Sequence, residues 1–328
     1  MSVIQKIKRL ARIVRAVYVR KFIHITRKIK LPGFQGVSVW EIIFFFLYSI
    51  RKGLIGMRAA AVAFHFFLAM IPFGLVLVVL TSYTPGIDLE GDIAPVISAL
   101  IPDQLFEKFM SGIDQYEHSS VTSLISVGFV LALYFTSNGF NVLIRAFNSS
   151  KINFAKRKWW SVRLISFGFV LGFIVGIIVT FYTIILVRIG LVNLAESSEW
   201  VNDYFDQIYV TIDFLFLGVL LYFGVALLYY MAPRKRHEFK FFSPGATLAT
   251  ILILLISVGY ELYVVYYATY NDLYGSLGTI IIILIWIYLI SYSLIIGFEL
   301  NASIKGAMAQ KKLRRLEDLD KRYDEQKA

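Results

Sequence analysis

Residues 277–298 form a run of 22 residues without a single charge. As a helix rising ~1.5 Å per residue, such a run reaches ~33 Å, enough to cross a hydrocarbon core of about 30 Å. A buried strand would be far shorter and a soluble helix would carry a polar face, so the stretch is read as a transmembrane helix. A polar entry (Asn271, Asp272, Tyr274, Gly275, Ser276) and a polar exit (Glu299, Asn301) bracket it. The same logic predicts spans over residues 59–83, 121–144, 162–187, 208–231 and 245–268. The expected fold is therefore an all-α integral membrane protein with six transmembrane helices. Hydrophobic residues make up 58% of the chain, above the ~45–50% of soluble domains, which agrees with that class.

The remaining segments are short. Residues 1–58 form a basic N-terminal region in which Ile4, Ile7, Ala11, Val14 and Tyr18 recur at helical spacing among Lys6, Lys8, Arg9, Arg12 and Arg15. No uninterrupted apolar core follows, so a signal peptide is not expected. Two readings remain for this region: a helix lying on an anionic inner leaflet, or a solvated topogenic tail. Residues 40–50 are apolar but too short to span, and are expected to lie in the interface or beneath the bundle. Residues 303–328 read as a charged, solvated helical tail. Pro72 inside the first span predicts a kink.

Charge sets the orientation. Of the 33 Lys and Arg residues, 31 fall in the N-terminal region, the second-to-third and fourth-to-fifth connections and the tail. Only Lys108 and Arg188 fall on the other side. Positive charge collects on the cytoplasmic face, so both termini are expected in the cytoplasm of a bacterial inner membrane. Orientation thereby accounts for the net charge of +11, and a nucleic-acid partner is not expected. Anionic lipids at the basic N-terminus are the expected partners, together with an unidentified substrate; self-association is left open.

Catalytic constellations are missing from the sequence. Cysteine is absent, which removes disulfides, thiolate metal sites and thiol nucleophiles. His24, His65, His118 and His237 show no ligand spacing. Asp88, Glu90 and Asp92 are spaced as in a calcium loop, but Ala99 stands where the bidentate Glu belongs. His118-Ser119-Ser120 has no placed acid, and no nucleophile elbow, phosphate loop or zinc helix motif occurs. No enzyme activity, cofactor or metal is expected.

A charge at mid-bilayer costs roughly 2.5–3.5 kcal/mol on insertion scales, so intramembrane polar groups need a reason. His65 lies about 9 Å inside the first span. Asn138, Asn141 and Arg145 share one face of the second, and Glu299 and Asn301 end the sixth. With Arg58, these seven are candidates for one inward-facing polar pocket, either a substrate or ion pathway or interhelical hydrogen-bonding glue. Glu261, with Tyr260 and Tyr263, is a candidate proton or hydrogen-bond site in the outer half. Asp213 and Arg188 are expected to form an interfacial pair.

Several stretches, in order, resemble the YihY/BrkB family of bacterial inner-membrane proteins. Arg58-Ala59-Ala60-Ala61-Val62-Ala63-Phe64-His65, running on to Ile71-Pro72, is similar to its alanine-rich opening. Arg145-Ala146-Phe147-Asn148 resembles its "RALN", Tyr230-Met231-Ala232-Pro233 its "YRFLP", and Phe242-Ser243-Pro244-Gly245-Ala246 its "LPGA". Tyr274-Gly275-Ser276-Leu277, Trp286-Ile287-Tyr288 and Gly297-Phe298-Glu299-Leu300-Asn301-Ala302 resemble "YGSL", "WLY" and "GAELNA". The chain departs from the pattern at His65 and Glu261. The resemblance covers about residues 40–305 and implies six spans with cytoplasmic termini. Part of the family has carried a ribonuclease label, and other members are discussed as transport or envelope proteins. The expected role is transport or gating of a lipid-like or small solute. A non-catalytic envelope scaffold is the alternative, and a ribonuclease is disfavoured for want of a soluble domain.

Overall fold

The computed structural model describes residues 26, 28–29, 33–34, 36–82, 121–150, 157–197, 203–233, 240–266 and 276–327. Ser38 opens the first helix, α1 (Val39–Lys52), by accepting a hydrogen bond from the Glu41 amide through its hydroxyl. It thereby satisfies one of the orphan donors of the first turn. Gly53 and Leu54 end α1, with Leu54 at a φ of 49°. The chain then bends by 65° into the next helix. Gly53 has to be glycine here, because a Cβ would meet the Ser49 carbonyl and stand 2.8 Å from the Arg58 guanidinium.

Six longer helices follow: α2 (Ile55–Ser82), α3 (Val121–Asn148), α4 (Trp159–Ser197), α5 (Phe205–Met231), α6 (Pro244–Tyr266) and α7 (Ser276–Lys327). Each contains all or most of one of the stretches expected to span, residues 83 and 267–268 lying outside the described residues. Among the described residues, four helical segments are long and apolar enough to cross a membrane, namely Phe129–Asn148, Trp159–Gly176, Phe214–Met231 and Ile280–Glu325. Counting the bent pair of α1 and α2 as one span makes five, and Pro244–Tyr260 is a shorter apolar helix. The last span and the charged tail, separate in the sequence reading, are one unbroken helix of 52 residues. Nothing between Asn301 and Lys327 interrupts its hydrogen bonding, because the stretch contains neither proline nor a helix-ending Gly cap.

Helices α2 to α7 close a ring in chain order, each packing on its two neighbours, with α7 returning to α2. Among the described residues, the main apolar core lies at one end of that ring. It is built from residues within 55–62, 140–147, 162–170, 225–232, 246–253 and 294–302. This is also the end that carries Arg58, Arg145, Arg157 and Arg163, and it is called the basic end below. Farther along the helices the described side chains are mostly exposed and apolar, as with Val179, Leu186, Phe214, Leu215 and Leu262. A small cluster of Ala63, Ile283 and Ile287 joins α2 to α7 there. Helix α1 packs across the basic end, its Ile42 meeting Ile304 and Ala307 of α7.

Candidate functional site

The most buried charge among the described residues is Glu299 on α7, whose side chain has no exposed surface. Arg58, in the first turn of α2, reaches it with Nη2 donating to Glu299 Oε1 at 2.6 Å. The other guanidinium nitrogen, Nη1, donates to the Ala146 carbonyl at 2.7 Å. Ser150 completes the carboxylate, its hydroxyl donating to Glu299 Oε2 at 2.9 Å. Three chain segments are thus tied at one point: the start of α2, the end of α3 and the middle of α7. The Ala146 carbonyl belongs to the last turn of α3, where helical carbonyls lack partners and a cation is favoured. Arg58 Nε and Asn148 Oδ1 stay buried at the same junction without a protein partner.

Two residues beyond Glu299, Asn301 does different work. Its Oδ1 accepts from the Gly245 amide at 2.8 Å and its Nδ2 donates to the Ser243 hydroxyl at 2.9 Å. Asn301 therefore adds a cap from a neighbouring helix to the one that Ser243 supplies from α6's own segment, where its hydroxyl accepts from the Ala246 amide at 3.3 Å. The approach is close because Gly297 of α7 faces Gly245 of α6. A Cβ on Gly297 would stand 2.6 Å from the Tyr229 hydroxyl and 2.7 Å from the Ala249 methyl. Glycine in helix pairs that cross in a membrane serves the same purpose, letting backbones meet.

Aromatic side chains fill the ring beside this junction. Phe147 of α3 stacks on Phe298 of α7 with centroids 4.5 Å apart. Tyr229 of α5 stands edge-on to both, at 5.5 and 5.7 Å. Its hydroxyl, fully buried, donates to the Leu294 carbonyl at 2.6 Å. Offset and edge-to-face contacts of this kind are worth about 0.5–1.5 kcal/mol each beyond area burial. Together the three rings form part of the core at the basic end of the bundle.

The seven pocket candidates are distributed as follows. Arg58 and Glu299 meet directly, and Asn301 caps α6 alongside them. Asn141 is buried, whereas Asn138 accepts from Arg163 of α4 at 3.0 Å. Arg145 is exposed, because the last turn of α3 aims Ala146 and Phe147 inward. His65 shares a hydrogen with the carbonyl of Ala61 in its own helix, at 2.8 Å, and does not join the junction. Tyr260 leans on Trp286 with centroids 5.4 Å apart, and Tyr263 is partly exposed. The side chains of Glu261, Arg188 and Asp213 lie outside the described residues, as do the Asp88–Asp92 loop, the His118 segment and residues 1–25.

Four participants escaped the sequence reading. Ser150, Ser243 and Tyr229 were not among the candidate site residues. Arg157 looked like topogenic charge, yet it donates to the Met231, Ala232 and Pro233 carbonyls at 2.9, 3.2 and 2.7 Å and so caps the end of α5. The available signal for Arg157 was its position two residues before the Trp159-Trp160 pair that opens α4, opposite a Pro-ended helix.

Comparison with known proteins bears on the same residues. The sequence profile of the family described as virulence factor BrkB matches residues 47–320. The chain is 30% identical over 260 residues to the ribonuclease-like protein YfkH of Bacillus subtilis (strain 168), covering 78% of this chain and 91% of YfkH. It is 26% identical over 277 residues to a UPF0761 membrane protein of Prosthecochloris aestuarii (strain DSM 271 / SK 413), covering 80% of this chain and 60% of that one. A 94-residue stretch is 37% identical to UPF0761 membrane protein PSHAa0171 of Pseudoalteromonas translucida (strain TAC 125), covering 27% of this chain and 31% of that one. No solved structure matches. The matched region runs from the end of α1 through the Arg58–Glu299 junction, the α6 cap and the aromatic core into the α7 extension, and on that match the chain belongs to the virulence factor BrkB (YihY/UPF0761) family of multi-pass membrane proteins.

Proposed function

We propose that this protein moves or gates a lipid-like or small solute across the bacterial inner membrane, with six spans and the basic end in the cytoplasm. The observation that carries the reading is the packing of the ring's basic end. That end is plugged by Phe147, Phe298 and Tyr229 and clamped by Arg58, Glu299 and Ser150. A compact aromatic core with a charged clamp at one end suits a gate, because a passage needs one constriction that opens. Two hydroxyls inside the bundle, Thr136 Oγ1 and Thr250 Oγ1, are buried without protein partners. Such groups call for water or a passing polar group.

The cytoplasmic placement of the basic end follows from the bias of 31 in 33 basic residues. A ribonuclease role, suggested by the name of YfkH, fits this chain poorly. Its junction acid is already held by Arg58 and Ser150, and its cytoplasmic segments are basic tails without an acid/base pair. An envelope scaffold is the second reading, favoured by the exposed α7 extension with Leu313, Leu316 and Tyr323 on its surface.

Purified protein in liposomes separates the two. Transport predicts bleaching of inner-leaflet fluorescent lipid by an external reductant, or loss of an encapsulated small solute, above the level of protein-free liposomes. Folded, inserted protein that passes neither would retire transport and leave the scaffold.

A further inference from the structure

Helix α1 has two unlike faces. Ile42, Phe45 and Ser49 turn toward α7 and the bundle. The opposite face carries Phe44, Leu47 and Tyr48, exposed by 59%, 53% and 46%, with Arg51 and Lys52 one turn farther on. Lys52 Nζ lies 5.7 Å from the centre of the Tyr48 ring. The hinge that follows adds Leu54 and Met57, exposed by 63% and 69%. The acid of α1, Glu41, is at the far end and faces Arg314 of α7 at 3.8 Å. The outer face is therefore apolar along its length and purely cationic at its hinge end.

Direction matters as much as composition. The 65° bend between α1 and α2 turns α1 away from the line of the span and toward the plane of the membrane surface. A helix lying in that plane, with aromatics on one side and basic residues at their border, buries its rings at the headgroup and acyl boundary. Its cations then stand at phosphate level.

We infer that the Phe44, Leu47, Tyr48, Arg51 and Lys52 face of α1 is a binding surface for anionic phospholipid in the leaflet at the basic end. The aromatic side chains set the depth, and Arg51 and Lys52, supported by the Tyr48 ring, select the negatively charged headgroup. The inference does not rest on the transport reading. A scaffold with the same helix would bind the same lipid.

The absence of cysteine makes the test clean. Full-length protein with Leu47→Cys carries a polarity-sensitive fluorophore and is reconstituted in phosphatidylcholine vesicles. The vesicles contain a minority of brominated phosphatidylglycerol or, in parallel, the same minority of brominated phosphatidylcholine. The brominated anionic lipid should quench as if enriched about fivefold around the label, the size expected for one basic side chain at an anionic surface. In the variant carrying Arg51→Gln and Lys52→Gln the two brominated lipids should quench equally, and Arg51→Lys should keep the preference. A label at Leu313, on the α7 extension, should be quenched by neither. Equal quenching in the wild-type background, a preference that survives the double variant, or water-like emission from position 47 would each overturn the proposal. Residues 1–30 are present throughout, so their charge is common to the wild type and the double variant and cancels from the comparison between them.

Discussion

Glu299 and Arg58 show how a single residue is priced inside a membrane bundle. Each is a charge removed from water, and each is stable only because the other is 2.6 Å away. Removing one partner of a buried pair typically costs about 3–5 kcal/mol, whereas replacing both by apolar residues of similar volume is often neutral. Glu299→Ala should therefore lower the melting temperature in detergent markedly, and combining Arg58→Met with Glu299→Leu should recover most of the loss. An unchanged melting temperature in Glu299→Ala would mean that the pair contributes nothing. Both residues could be read as polar groups at the ends of spans. Their pairing could not, because 241 positions separate them and no local pattern relates positions so far apart. Arg145 shows the converse. Helical spacing placed it on a face with Asn138 and Asn141, but packing at the last turn of α3 left it exposed. Periodicity gives a face, and only the neighbouring helices decide how far along the helix that face stays covered.

At the scale of elements, the helices were readable because uncharged apolar runs of bilayer length have few other folds. Their ends were harder to read. The expected third span, residues 162–187, is part of a helix running from Trp159 to Ser197, and α7 passes through the expected boundary before residue 303 without a break. Polar residues end the lipid-facing part of a helix without ending the helix itself. Helix ends at the basic end also take partners from elsewhere in the chain: Asn301, beside the local Ser243, for the start of α6 and Arg157 for the end of α5. Hydrogen bonds to a charged donor are worth about 1.5–3 kcal/mol, so Arg157→Ala should destabilise the protein by an amount in that range. Amide exchange in the last turn of α5 should rise with it, while exchange in α7 should not. Unchanged exchange around Met231 would show that the guanidinium is not the cap.

For the whole molecule, the ring of six helices and its one-ended core were not legible in the sequence, since the order of packing depends on contacts between distant segments. The orientation is an expectation from charge alone, since 31 of the 33 Lys and Arg residues fall on one side of the expected spans. Single cysteines at Ser119 and Ser198 should react with a membrane-impermeant thiol reagent in intact cells, whereas one at Leu313, 59% exposed on the α7 extension, should react only after lysis. External labelling at Leu313 would overturn the six-span arrangement. The central claim, however, is that the stacked rings of Phe147 and Phe298 close a passage. Phe298→Ala removes the central ring of that plug, and the measurement is the rate at which liposomes carrying the folded variant lose an encapsulated small solute or scramble labelled lipid. The account predicts a rate clearly above that of wild-type liposomes of equal protein content. A folded, monodisperse Phe298→Ala protein whose liposomes stay as tight as wild type would contradict it.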